Sequence, residues 1–292
     1  MAGEVKQPIV AAGACAEPVV REVRCRSVLK RSSICDYALN CYSGCVHSCL
    51  YCYGRLIMRF RHTRQPWGSF VDAKVNAPQV LARELASRRL RPGTVIISSV
   101  CDGWQPPEAT HRLTRQCLQP LWENGFELHV LTKSALVRRD FDLLCGRQRV
   151  LVGVTLTTMD EQLRSELEPA SSPSAARVEV LEEAARRQTR VYAFLGPLIP
   201  GLTDTAQNVG ELFEAIAHLP LEHVYVDRLH LRWGVRSSLR VWIEQHRPHL
   251  ARWLRSGLLD RASEARYEQK LRSWVERAAA EVGLAKQVRV IF

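Results

Sequence analysis

From residue 94 onward, short runs dense in Val, Ile and Leu alternate with amphipathic segments, and this alternation restricts the possible folds more than any other feature of the chain. The runs lie at 94–100, 127–132, 150–157, 190–195 and 223–226. Most are continuous rather than alternating in apolar residues, which is the pattern of strands covered on both faces of a parallel sheet. Between them, helices are predicted over 111–124, closed by Gly125, over 138–145, closed by Gly146, over 174–188, and over 205–218 before Pro220. Gly just past the last apolar turn and Pro shortly beyond it both stop a helix. Upstream, 34–40 supplies a first strand and 77–90 a helix, with Asn76 as its cap and Pro78 in its first turn.

Six such strand–helix units are too few for a complete eight-unit barrel, so the expected fold is α/β, a partial (β/α)6 barrel. The pattern predicts an N-terminal extension over 1–30, loosely ordered in its first 20 residues, the barrel over 31–235, and a basic helical C-terminal extension over 236–292. A parallel β/α sheet carries its chemistry at the carboxyl ends of its strands. The residues that fall there are a cysteine-rich loop after the first strand, Cys101 and Asp102 after the second, and Lys133 after the third. Thr155 and Thr157 follow near the end of the fourth, and Gly196 and Pro197 after the fifth.

Ten cysteines are many for a chain of 292 residues, and Cys41, Cys45, Cys49 and Cys52 lie within a single twelve-residue stretch. The first 20 residues lack a basic start followed by a long apolar stretch, so a cytoplasmic location is expected. No run of about 18 apolar residues exists, so no membrane span is expected. In that setting crowded cysteines point to metal binding or catalysis rather than to a disulfide framework. Thiolates are soft ligands and select zinc or iron–sulfur. Three of them, spaced as Cys45-Val-His-Ser-Cys49-Leu-Tyr-Cys52, can reach three irons of a cubane and leave the fourth open. Cys41 would equally complete a closed four-thiolate site. Zinc ribbons pair two short knuckles across a longer loop; here one segment holds all four thiols. Spacing favours the open cluster and leaves the closed site in play.

The formal net charge is +11. Residues 21–64 carry nine Arg or Lys against two acids, and residues 236–292 carry twelve against six. A basic surface suits a polyanion, which releases counterions on binding. Arginine-rich solvated helices have the same composition, so charge alone leaves both readings standing.

The segment GCVHSCLYCYGR (44–55) resembles the cysteine loop of the radical S-adenosylmethionine superfamily, and its YCY element resembles the spore photoproduct lyase-like branch. Further stretches at 67–85, 98–108, 131–144, 154–181 and 195–204 resemble that branch in the same order, so the resemblance covers about residues 28–235. It implies a partial barrel of the radical S-adenosylmethionine type. It also implies a 4Fe–4S cluster on Cys45, Cys49 and Cys52, S-adenosylmethionine as cofactor, and an electron donor such as flavodoxin or ferredoxin.

Carried over by resemblance, Tyr51 packs near the adenine, and Cys101 and Asp102 meet the methionine or ribose part. Lys133 holds a carboxylate or the ribose, Thr155 meets the ribose, and the Gly196-Pro197-Leu198 backbone lies along the adenine edge. Cys101 and Tyr53 are the catalytic candidates. Spore photoproduct lyase returns a hydrogen atom from a cysteine on its second strand. Matching Asp102 and Lys133 to that enzyme puts Ser99 at the donor position, with Cys101 two residues on and on the same strand face.

Each assignment has a plainer counterpart: packing for Tyr51 and Tyr53, a surface charge for Lys133, strand composition for Thr155 and Thr157. His47 reads as a hydrogen bonder, Cys117 and Cys145 as small core residues, and Cys15, Cys25 and Cys35 have no assigned role. The substrate expected is a nucleic-acid base. The alternatives are the same chemistry on a small molecule or protein side chain, and a non-enzymatic metal-bound nucleic-acid-binding module.

Overall fold

A computed structural model describes residues 18–60, 65–87, 90–232, 234–251 and 261–292, with backbone alone at 57–60 and 261–262. Cys15, Arg61, Arg64, the side chain of Arg59, most of the expected N-terminal extension and residues 252–260 of the tail lie outside this description.

The main sheet grows strand by strand along the chain. Leu29–Arg31 (β2) pairs antiparallel with Tyr37–Leu39 (β3), and β3 pairs parallel with Thr94–Ile97 (β6), Leu39 opposite Ile97. Glu127–Thr132 (β7), Val150–Leu156 (β8), Arg190–Leu198 (β9) and Leu221–Arg228 (β10) then add in order, all parallel. Val288–Val290 (β11) closes the row against β10, giving eight strands in the linear order β11-β10-β9-β8-β7-β6-β3-β2. A parallel pair needs a crossover, and helices supply it here. Leu113–Glu123 (α3) lies on β7, Ser174–Arg186 (α6) covers β8 and β9, and Ala206–Ile216 (α7) leads into β10. Because both faces are covered, β8 is buried at every position, as its unbroken apolar run predicts.

A second sheet of three strands stands apart. Val19–Val23 (β1) runs parallel to Phe70–Lys74 (β5), and Tyr42–Ser43 (β4) runs antiparallel to β5. The cysteine loop leaves the end of β4, so it is held between the two sheets.

The predicted strands and helices fall where expected, with three corrections. Asn76 precedes Ala77–Ala86 (α1), but its side chain makes no cap. Its amide is spent on the Cys25 backbone instead, accepting from the N–H at 2.8 Å and donating to the carbonyl at 2.9 Å. The helix expected over 138–145 is a 3-10 turn, Ala135–Asp140, followed by the single turn Phe141–Leu144 (α4). The cause is Asp140, buried and accepting from Trp104, Arg115 and Arg139. Those bonds fix the chain in the tighter turn. The tail holds Val235–His246 (α8) and Arg261–Glu281 (α9), as expected, but also contributes β11. Among the described residues no helix is long and apolar enough to cross a membrane.

Candidate active site at the cysteine loop

Cys45, Cys49 and Cys52 sit on the loop from β4 into the 3-10 turn Tyr53–Phe60, beside the carboxyl ends of the parallel strands. Cys45 and Cys49 are buried and Cys52 is half-buried. Cys45 packs with Trp67 and Phe70, and Cys52 and Cys101 close the same cluster. Burial pushes the Cys45 thiol well up, and Asp102, Cys52, Cys101 and Cys49 add to it. Burial raises Cys49 to about 12 against the pull of Lys133. Burial also raises Cys52, opposed by hydrogen bonds from the Gly54 and Arg55 backbone and by the Lys133 charge. Three thiols thus share one desolvated space with a lysine nearby.

The loop is held by neighbours distant in sequence. Gln105, fully buried, accepts from the Val46 N–H at 3.0 Å and donates to the Gly44 carbonyl at 3.2 Å. The Leu50 N–H donates to Leu167 O at 2.9 Å, and Arg55 Nη2 donates to Cys49 O at 3.1 Å. Two close approaches require glycine. At Gly44 (φ +89°) a Cβ would lie 2.5 Å from Phe70 O, and at Gly68 (φ +96°) it would collide with Ser48 Oγ.

Cys41, the fourth thiol of the crowded segment, does not join the other three. It is buried with its Sγ 3.8 Å from Cys117 Sγ, between the loop and α3. Among the described residues no three His, Cys, Asp or Glu side chains converge as ligands of a single ion.

Asp102 follows β6 and ties the strand ends together. It accepts from Thr132 Oγ1 at 2.7 Å, from the Trp104 N–H at 2.9 Å and from the Lys133 N–H at 2.8 Å, with His47 Nδ1 at 3.5 Å. The carboxylate is therefore engaged within the protein. Lys133 Nζ stands 5.6 Å from the centre of the Tyr51 ring. Tyr51 is buried, its hydroxyl donating to Glu168 and lying 3.0 Å from Thr157 Oγ1, which in turn donates to Gly196 O at 3.0 Å. Through Thr157 the aromatic residue of the loop meets the Gly196-Pro197-Leu198 end of β9. Thr155 is buried on β8, its carbonyl accepting from Arg177 Nη1 at 2.9 Å. Cys101 holds its S–H on Tyr42 O at 3.5 Å. Tyr53 is half exposed, its hydroxyl donating to Ser99 O. The structure thus brings Cys45, Cys49, Cys52, Tyr51, Lys133 and Cys101 into one neighbourhood and leaves Tyr53 at its rim.

Sequence reasoning did not single out Glu168 and Arg177, a fully buried ion pair beneath Tyr51. Burial opposes the Glu168 charge, but Arg177 and Lys133 outweigh it and hold the pKa down to about 2. Gln105 and Glu108 were likewise missed. Glu108 is buried and accepts from the Tyr42 hydroxyl and the Thr114 N–H, steadying the strand that launches the loop. A polar residue inside an otherwise motif-bearing stretch is the one signal that these positions carry.

The basic belt is partly absorbed by local partners. Arg21 Nε donates to Asp72 at 2.9 Å, and the Arg31 guanidinium lies 4.5 Å from the Tyr37 ring centre.

No protein-family model matches the chain. An uncharacterized protein of Methanocaldococcus jannaschii is 34% identical over 175 residues, which is 60% of this chain and 65% of that protein, so the match spans just under two thirds of that relative. An uncharacterized protein of Mycobacterium tuberculosis is 28% identical over 239 residues, 78% of this chain and 70% of the relative. Among solved structures, a variant of spore photoproduct lyase with dinucleoside spore photoproduct superposes with a TM-score of 0.66 at 15% identity, covering 93% of this chain and 80% of that one. A second variant, with bound AdoMet and dinucleoside spore photoproduct, gives 0.64 at 13% identity over 93% and 81%. The chain therefore has the fold of spore photoproduct lyase, the branch that its cysteine loop resembles.

Proposed function

We propose that this chain is a radical S-adenosylmethionine enzyme of the spore photoproduct lyase-like branch, built as a partial (β/α)6 barrel. The observation that carries the reading is three neighbouring thiols, those of Cys45, Cys49 and Cys52, largely buried on one loop at the carboxyl end of a sheet with that fold.

The residues present fit a 4Fe–4S cluster. A cubane presents separate irons to separate thiolates, and the Cys45, Cys49 and Cys52 thiols lie close enough to act on one another's charge. Cys41, committed to Cys117, leaves three ligands and one open iron. Burial raises the Cys52 thiol, and the Gly54 and Arg55 backbone N–H groups with the Lys133 charge oppose that rise without reversing it. Held by Cys45, Cys49 and Cys52, such a cluster would supply the electron for reductive cleavage of S-adenosylmethionine to methionine and a 5′-deoxyadenosyl radical.

The chain's own groups would bind and orient that cofactor. Lys133 offers a cation to its carboxylate from beside Cys49 and Cys52. Asp102 acts one step back, holding the Lys133 backbone. Glu168 and Thr157 lock the Tyr51 ring, and Thr155 with Gly196, Pro197 and Leu198 lines the ribose and adenine side. Cys101, packed in the same cluster as Cys45 with its S–H on Tyr42 O, and Tyr53 at the rim would be the catalytic candidates. We further propose a cytoplasmic protein served by a flavodoxin- or ferredoxin-type donor, acting on a nucleic-acid base; the net charge of +11 supports a polyanionic substrate.

Anaerobic reconstitution tests the reading. An iron–sulfur signal that changes on adding S-adenosylmethionine is expected, with 5′-deoxyadenosine released under reductant and lost in Cys45→Ala. Stoichiometric zinc in protein purified without oxygen, with no deoxyadenosine formed, would refute it. Salt-dependent oligonucleotide binding is expected, and its absence would move the substrate to a small molecule or protein side chain.

A further inference from the structure

Among the described residues, two buried hydrogen-bond donors beside the cysteine loop find no acceptor. Trp67 is 7% exposed and packs with Cys45, Phe70, Cys52 and Cys101, and its indole Nε1–H has no acceptor. Arg55 spends Nη2 on the Cys49 carbonyl, yet its Nε–H is buried and unpartnered. Gly54 precedes Arg55, and a Cβ built on it would meet Val100 O at 2.6 Å, Cη2 of the Trp67 ring at 3.0 Å and Cys52 Sγ at 3.2 Å, so indole and sulfur flank one glycine.

An unsatisfied buried donor is costly, and folded proteins rarely tolerate one without a reason. Two such donors from separate segments, Trp67 packed with Cys52 and Arg55 three residues after it, point to a shared acceptor. The space between them offers sulfur: the thiolates themselves and the sulfides that a cluster would bring. Neither donor can be a metal ligand, since an indole N–H and a guanidinium offer no lone pair.

We propose that Trp67 Nε1–H and Arg55 Nε–H donate hydrogen bonds to sulfur of the cluster held by Cys45, Cys49 and Cys52 and thereby raise its reduction potential. This rests on the function proposed above and adds two residues that tune the cluster without ligating it. The sign follows from charge: reduction adds an electron to an already anionic core, so N–H groups aimed at its sulfurs stabilise the reduced state more than the oxidised one. Trp67 and Arg55 are positioning residues in this sense, acting on the substrate only through the cluster.

The test is a reductive titration of the reconstituted protein followed by electron paramagnetic resonance. Trp67→Phe keeps the aromatic volume and removes the N–H; Arg55→Lys keeps the charge and removes Nε. Each substitution is expected to disfavour reduction about tenfold, which is 59 mV for a one-electron couple, with iron content unchanged in Trp67→Phe. Wild-type protein labelled with ¹⁵N-tryptophan is expected to show a nitrogen coupling to the reduced cluster that disappears in Trp67→Phe. Unchanged potentials in both variants, or no ¹⁵N coupling in the wild type, would overturn the inference while leaving the enzyme reading intact. Failure of the wild type to assemble any cluster would overturn both.

Discussion

Replacing Glu168 with glutamine removes one charge from a fully buried pair and leaves Arg177 with neutral partners alone, the carbonyls of Ser172 and Thr155 and the Ser171 hydroxyl. Breaking a buried pair from one side costs about 3–5 kcal/mol, because the remaining charge stays desolvated. Proton linkage yields a similar figure. A carboxyl that ionises near 4.5 when unfolded and at about 2 in the fold contributes roughly 3 kcal/mol at neutral pH. Urea unfolding at pH 7 is therefore expected to show Glu168→Gln less stable by about 3 kcal/mol. Arg177→Met should lose a comparable amount, and the double variant clearly less than the sum, since it buries no lone charge. The pH dependence has a definite sign. The folded pKa is depressed, so the Glu168 contribution is complete above about 4.5 and fades as pH falls towards 2; the gap between wild type and Glu168→Gln narrows over that window. Additive losses in the double variant, or a gap that stays constant between those two pH values, would refute the account of the pair.

Cys41→Ala is expected to keep the full iron content at a cost of about 1 kcal/mol, because its sulfur faces Cys117; iron lost to the extent seen in Cys45→Ala would restore the closed four-thiolate site. Gln105→Leu strands the Val46 N–H and the Gly44 carbonyl, and about 3 kcal/mol of stability should go with them, together with reduced iron retention in colorimetric assay. Gly44→Ala meets both a left-handed backbone, at about 1–2 kcal/mol, and a Cβ 2.5 Å from Phe70 O; a lowered melting midpoint by circular dichroism is expected, and a wild-type melt would contradict the packing of loop on β5.

The strand ends, the cysteine loop and Lys133 were legible because each rests on short-range pattern. Continuous apolar runs specify covered strands, and Gly or Pro specifies where helices stop. The strands β1, β2, β4, β5 and β11 were not legible. Three residues such as Val288–Val290 carry too little periodicity to register, and only the open side of β10 turns them into a strand. Asp102 shows the same limit at the site. Its position after β6 was readable, but its engagement with Thr132, Trp104, Lys133 and His47 depends on strands that meet only on folding.

By itself, the sequence determined the succession of covered strands and helices along the chain and the presence of three closely spaced thiols after the first of those strands, since both are encoded in neighbouring residues. Tertiary structure alone decided that Cys41 turns to Cys117 and that Glu168 and Arg177 sit beneath Tyr51. The physical reason is burial. A thiol or a carboxylate takes its character from the charges and solvent around it, and here Cys117 reaches Cys41 across 76 positions and Glu168 reaches Tyr51 across 117.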